Sequence, residues 1–216
     1  MVSILLATYN GETFISKAIE SILNQTLQEF EILIGFNGTT DNSRMIVNQY
    51  NDPRIRVFDY GNDKGKSKTL NKLLLESKYD WIAIQDDDDI WVNSKLEKQL
   101  LHIEDNDVIG TFIQYIDVND NPIGGPTLST QDNDIKKISL SGGNQVANTS
   151  AIFKKIDALE IGGWRDGLDG IEDYDFWLRL MRNGKKFINI SENLVLHRLH
   201  SNSNFNTKQY DLTKIL

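Results

Sequence analysis

The chain contains no cysteine, which excludes disulfides and thiolate metal sites and fits a reducing compartment. Long apolar runs are missing as well: nothing approaches the length of a membrane span, so no integral membrane segment is expected. The opening run Val2 to Ala7 is too short for a signal peptide and has no basic flank. The expected location is therefore the cytoplasm, with peripheral contact at a membrane left open. Positive charge is in deficit. A formal charge of −8 argues against nucleic acid as a partner and disfavours adhesion to anionic lipid, although Lys64, Lys66, Lys68 and Lys72 could form a local basic face. Histidine occurs three times, at His102, His197 and His200.

Against these absences stands Asp86-Asp87-Asp88-Asp89, placed directly after the apolar run Trp81 to Ile84 and before Ile90-Trp91. The run reads as a buried parallel strand, and its carboxyl end is where open α/β sheets put their ligands. Four adjacent anions repel one another, so a fold that holds them there calls for a cation. Oxygen-rich clusters suit Mg²⁺ or Mn²⁺, and such a cation points to a phosphate-bearing substrate. A solvated charge run is the plainer alternative. A helix-loop-helix calcium site is disfavoured, because the alternate position after Asp86 and Asp88 is Ile90. Asp117 to Pro122 fails the same test and reads as a hairpin turn.

The chain of 216 residues, 39% of them apolar, suffices for one domain with one well-buried core. Val2 to Ala7, Phe30 to Phe36 and Ile55 to Tyr60 read as strands. Helical spacing places a helix over Phe14 to Leu23, a short one over Asn42 to Tyr50, and others over Gly65 to Ser77 and Asn93 to Glu104. This alternation implies parallel pairing in a doubly wound sheet. Val108 to Val118 leads into a hairpin. Pro122 to Gln145 shows little periodicity and reads as a mobile loop that helps close over substrate. Ala151 to Phe153 resumes the sheet, and a helix starts near Glu172.

Several segments together, in order and spacing, resemble glycosyltransferase family 2, the inverting nucleotide-sugar transferases of the GT-A fold. They are Ala7-Thr8-Tyr9-Asn10, Ala18 to Phe30, Asn37 to Asp41, Asp86 to Trp91, Gly162-Gly163-Trp164, Glu172-Asp173 with Phe176 to Arg179, and Arg198 with His200. The resemblance implies one Rossmann-like α/β domain with a mixed, mainly parallel sheet over 1–216. Its nucleotide-binding half would span about 1–105 and its acceptor-side half about 106–200, and the whole could be one domain of a longer enzyme.

It further implies that Thr8, Tyr9 and Asn37 line the nucleoside pocket, with Asp86 and Asp87 near the nucleotide. Asp88, with His200, would hold Mn²⁺ or Mg²⁺. Asp173 would be the base, and Glu172 and Trp164 would serve the acceptor side. Two departures bear on the donor: Phe36-Asn37 stands where many relatives carry paired acids, and Leu70 where they often carry Arg. An Asn can accept the uracil N3 hydrogen but can also flip to face another base, so a UDP-sugar is favoured. Lys66 or Lys68 could supply the missing positive charge near the diphosphate.

Without the family, the residues still suit sugar transfer. A cation on the acids neutralises a leaving diphosphate, and a carboxylate at Glu172-Asp173 can take the proton of an acceptor hydroxyl on a saccharide or glycoconjugate. The alternative for Glu172-Asp173 is helix capping. Two other functions remain open. Nucleotidyl transfer would want a glycine-rich basic loop after the first strand, which Thr8 to Glu12 is not. A non-catalytic nucleotide-sugar binder would bind nucleotide without turnover.

Overall fold

The computed structural model describes residues 1–61, 65–168, 170–201 and 211–216. Lys64 and Asp169 lie outside the described residues. The first half alternates strand and helix: β1 (Val2–Thr8), α1 (Ile15–Leu23), β2 (Phe30–Phe36), α2 (Ser43–Val47), β3 (Ile55–Asp59), α3 (Lys66–Glu76) and β4 (Trp81–Gln85). Then come β5 (Ile90–Trp91), α4 (Lys95–Leu100), β6 (Val108–Ile116), β7 (Pro122–Gly124), α5 (Asp132–Ser139), β8 (Ile152–Lys154), α6 (Lys155–Glu160), α7 (Glu172–Arg182) and β9 (Phe187–Arg198). A single 3-10 turn, Asn148–Ser150, precedes β8.

One sheet runs β3-β2-β1-β4-β8-β6-β9-β5, with β7 paired to β6. β1 is parallel to β2 and to β4, and β2 to β3; β8 is antiparallel to both β4 and β6. This is the mixed, mainly parallel α/β domain that the sequence predicts. All seven residues of β1 are buried, because the sheet is covered on both faces. Val2, Ile4 and Leu6 pack with Ile15, Ala18, Ile19 and Ile22 of α1, while Leu5 and Ala7 pack with Leu70, Leu73 and Leu74 of α3 and the aromatics of α7. Each fully buried aliphatic side chain contributes about 1.5–3 kcal/mol relative to exposure.

The predicted elements differ from the structure in three places. The helices expected over 42–50 and 93–104 shrink to α2 and α4, since their outer turns lack a buried apolar face. Pro122 to Gln145 is not one irregular loop, for it contains β7 and α5. Ile135 anchors α5 in the core, Asp132 Oδ1 accepts from Phe187 N at 2.8 Å, and the Tyr174 hydroxyl donates to Ser139 O. A third difference is α6, too short to leave a periodic signature. Among the described residues no helix is long and apolar enough to cross a membrane.

Candidate active site

The acidic run closes a turn from the end of β4 to β5, and each carboxylate has its own partner. Asp86 Oδ1 accepts from Lys66 Nζ at 2.5 Å and, more weakly, from Asn148 Nδ2 at 3.3 Å. Asp87 Oδ2 accepts from the Thr8 hydroxyl at the end of β1. Asp88 Oδ2 lies 2.9 Å from His200 Nε2. Asp89, fully buried, accepts from the backbone N–H of Arg198 at 2.8 Å and meets His197 Nδ1 at 3.0 Å. Gln85 Nε2 donates to the Asp89 carbonyl at 2.7 Å and ties the two ends of the turn. Like-charge repulsion is thereby divided among separate cations and hydroxyls rather than relieved by solvent.

The electrostatics follow from that division. Burial and the neighbouring Asp88 charge push Asp87 up to about 7. Burial opposes ionisation of Asp88 as well, but its bond to His200 and the charge of His197 outweigh this and hold it below the usual carboxylate range. For His197, burial would lower the pKa, yet the Asp89 carboxylate lifts it to about 9. Asp89 and His197 thus form a buried ion pair that latches the acidic turn to the end of β9.

Arg198 reinforces the latch. Its guanidinium is buried, stacks 4.4 Å over the Phe14 ring, and donates through Nε to the Asp88 carbonyl at 2.8 Å. Nη1 reaches the Asp117 carbonyl at 2.8 Å and Asp120 Oδ1 at 2.6 Å, so the β6–β7 turn is pinned to the acidic turn.

Glu172 and Asp173 open α7. The residue before the helix, Ile171, makes no side-chain cap bond, while the Asp173 carboxylate accepts from the backbone N–H of Tyr174 in the first turn. The Glu172 carboxylate turns back to accept from Gly170 N and lies 3.8 Å from Lys66 Nζ. Burial, and then the adjacent Glu172 charge, raise Asp173 to about 7, in the range suited to a general base near neutral pH. Lys66 connects the two acidic groups, with Asp86 on one side and Glu172 on the other. Lys68, half-exposed, lies 3.5 Å from Asp166 instead.

Thr8, Tyr9 and Asn37 come together where β1 and β2 end. Thr8 and Asn37 are buried, while Tyr9 is 50% exposed. Asn37 N donates to Thr8 O at 3.3 Å, and Asn37 Oδ1 is buried with no hydrogen-bond partner. Trp164 sits elsewhere. Its ring, 2% exposed, stacks on Phe176 with centroids 4.4 Å apart, so it is a core side chain and not an acceptor platform. Asn71 holds its backbone at both ends, by Nδ2 to Trp164 O at 2.8 Å and Oδ1 from Trp164 N at 2.9 Å. Gly163, at φ +69°, has to be glycine because a Cβ there would overlap Asn71 Oδ1.

The donor set fits a divalent cation shared with substrate. Among the described residues no group of three or more His, Asp or Glu side chains forms a ready-made metal site. Asp88 Oδ2 and His200 Nε2 are the adjacent pair. Magnesium-type ions commonly take one or two protein carboxylates and complete their shell with water and substrate phosphate; an imidazole nitrogen beside a carboxylate is also compatible with Mn²⁺. Asn148 and His197 were not legible as site residues, for their roles arise from a 3-10 turn and from a strand end whose partners are more than 60 residues away.

Comparisons with known proteins bear on the family and the fold. The family model described as glycosyl transferase family 2 matches residues 3–157. O-antigen biosynthesis glycosyltransferase WbnJ of Escherichia coli is 33% identical over 94% of this chain and 81% of its own length. The UDP-Glc:alpha-D-GlcNAc-diphosphoundecaprenol beta-1,3-glucosyltransferase WfgD of Escherichia coli is 28% identical over 85% of this chain and 70% of its own. In fold, the chain is similar to residues 1–349 of S. aureus TarS in complex with UDP-GlcNAc, with a TM-score of 0.82 at 19% identity, covering 99% of this chain and 63% of that one. A mixed sheet of the GT-A type, an acidic turn at the end of β4, and a family match over most of the length lead to one conclusion: the chain belongs to glycosyl transferase family 2 and is a glycosyltransferase.

Proposed function

We propose that the chain transfers a sugar, with inversion, from a nucleoside-diphosphate donor, UDP-linked by preference, to a hydroxyl of a saccharide or glycoconjugate in glycan synthesis. The observation that carries this reading is the pair of acidic segments that Lys66 bridges: the turn Asp86 to Asp88 at the sheet edge, and Glu172 at the start of α7, next in the chain to Asp173, whose carboxyl burial raises to about 7. The first suits a diphosphate and its cation, and the second an acceptor hydroxyl. Uridine is supported by Asn37 Oδ1, an orphan acceptor that the N3–H of uracil could engage. Such an unmet acceptor typically costs about 1–3 kcal/mol. It is supported also by the UDP-sugars in the names of WfgD and of the TarS complex.

In this mechanism Thr8, Tyr9 and Asn37 hold the nucleoside, with the Tyr9 ring beside the base. Asp88 and His200 would hold Mn²⁺ or Mg²⁺, which supplies Lewis-acid neutralisation of the leaving diphosphate. Asp173 takes the proton of the acceptor hydroxyl as its oxygen bonds to the anomeric carbon, and the bond from that carbon to the diphosphate breaks on the opposite face. One direct displacement inverts the anomeric centre. Glu172 turns to Gly170 N and Lys66, which favours Asp173 over Glu172 as the base. A thermal-shift panel of UDP, GDP, CDP and dTDP, each with and without Mn²⁺, tests the donor side. Stabilisation by UDP that grows with Mn²⁺ is expected; no stabilisation by any nucleotide contradicts the reading.

A further inference from the structure

The strand order reverses at β1: the chain moves outward from β1 through β2 to β3, then returns to place β4 on the other side of β1. α1 covers one face of the sheet and α3 the other. Open α/β sheets bind ligands outside the carboxyl ends of the strands at such a point. The loop after β1 lies there against the acidic turn, since the Thr8 hydroxyl donates to Asp87 and a Cβ on Gly11 would overlap the same carboxylate. On its other side this loop is laced to the loop after β2. Glu12 N donates to Asp41 Oδ2 at 2.9 Å, and the Glu12 carboxylate returns the contact, its Oε2 accepting from Asn42 N at 2.9 Å and from Asn42 Nδ2 at 2.8 Å. Asn10, at φ +56°, accepts through Oδ1 from Thr40 N at 2.9 Å. Asp41 is itself fixed, because Ser43 N and the Ser43 hydroxyl donate to its Oδ1 at 3.0 and 2.6 Å. Asn10, Glu12, Thr40 and Asn42 are exposed. Bonds of this kind exchange with water and add little to overall stability; what they fix is the distance between the two loops.

We propose that Glu12 and Asp41 are positioning residues for the nucleoside: by exchanging hydrogen bonds they hold the loops after β1 and β2 at one separation, and so set how tightly Tyr9 and Asn37 together grip the ligand. This rests on the reading of Tyr9 and Asn37 as the nucleoside site. Those two residues stand at the inner ends of the loops, where Asn37 N and the Thr39 hydroxyl both donate to Thr8 O, at 3.3 and 3.2 Å. The inner bonds tie the strand ends together. The outer bonds, from Asn10 to Thr40 and between Glu12, Asp41 and Asn42, keep the loops from parting beyond them. Without the outer bonds the loop after β1 is tethered on one side only, to the acidic turn. It then samples more conformations, and nucleotide binding carries the entropic cost of ordering it.

The test is calorimetry with UDP in Mn²⁺ on the protein and its variants, with amide hydrogen exchange of the ligand-free state alongside. Glu12→Ala removes the acceptor of two hydrogen bonds. It should weaken UDP about tenfold, the order that one net hydrogen bond supplies, and the Thr40 and Asn42 amides should exchange faster. Glu12→Gln keeps an amide oxygen that can accept from both Asn42 donors, as Oε2 alone does in the parent, and should restore affinity to within about threefold. Glu12 is exposed, so Glu12→Ala is expected to fold; if it does not, Asp41→Ala removes the return bond and is read in the same way. A contact that only stabilised the fold would lower the melting temperature and leave UDP affinity where it was. Glu12→Ala binding UDP within about twofold of the parent, or Glu12→Gln as weak as Glu12→Ala, overturns the proposal and leaves the nucleoside reading standing. A parent that binds none of UDP, GDP, CDP and dTDP removes the nucleoside reading and the proposal with it.

Discussion

Raising the pH should open the latch between Asp89 and His197, and the size of the effect can be worked from the structure. His197 is lifted from 6.5 to about 9: burial alone would lower it, and the bonded Asp89 carboxylate overrides that. A group whose folded pKa is raised stabilises the fold fully below its unfolded pKa and loses that contribution as pH rises through the folded value. The window therefore runs from about pH 6.5 to about pH 9. A difference of roughly 2.5 units corresponds to on the order of 3 kcal/mol as an upper limit. In a chain of this length that is up to roughly 10 °C in Tm. The assay is thermal melting between pH 6 and pH 10 for the parent and for His197→Gln, whose amide can still donate to Asp89 but does not titrate. The difference between the two curves isolates His197 from other titrating groups. Parallel curves, with the parent losing no more stability than the variant across the window, would refute the ion-pair argument.

Three further outcomes are expected. Asp88→Asn should abolish Mn²⁺-dependent nucleotide binding while keeping the fold, which calorimetry with UDP checks; unchanged affinity in Mn²⁺ would remove Asp88 from the cation site. Asn71→Ala should destabilise by about 1–3 kcal/mol in denaturant melts, because it frees both backbone groups of Trp164 in a buried setting. Hydrogen exchange should show the amides of α5 protected without ligand, since Ile135 and Asp132 anchor it, and faster exchange between Gly125 and Ser129 that slows when nucleotide binds.

The order β1 to β4 was legible because β1, β2 and β4 are buried on both faces and read as largely apolar runs, while the less buried β3 shows alternation and α1, α3 and α7 carry one apolar stripe. The acidic turn was legible for the same reason, being confined between Ile84 and Ile90. The resemblance implied an acceptor-side role for Trp164, whereas its ring is buried against Phe176 and Asn71 holds its backbone through bonds that leave no sequence pattern. α5 was missed since Ile135 and Ile138 are too few to show a period. The roles of Lys66, Asn148 and His197 depend on contacts between distant segments, which spacing does not encode.

The most direct measurement of the central claim is the rate of sugar transfer by Asp173→Asn relative to the parent, with donor affinity measured alongside. Loss of a positioned general base lowers the rate roughly 100-fold to 10,000-fold. Donor affinity should hold within about threefold, because the proposed role of Asp173 is toward the acceptor hydroxyl. The product should carry the inverted anomeric configuration. Transfer by Asp173→Asn within about threefold of the parent rate, or a product with retained configuration, would contradict the assignment of Asp173 as the base of a single displacement.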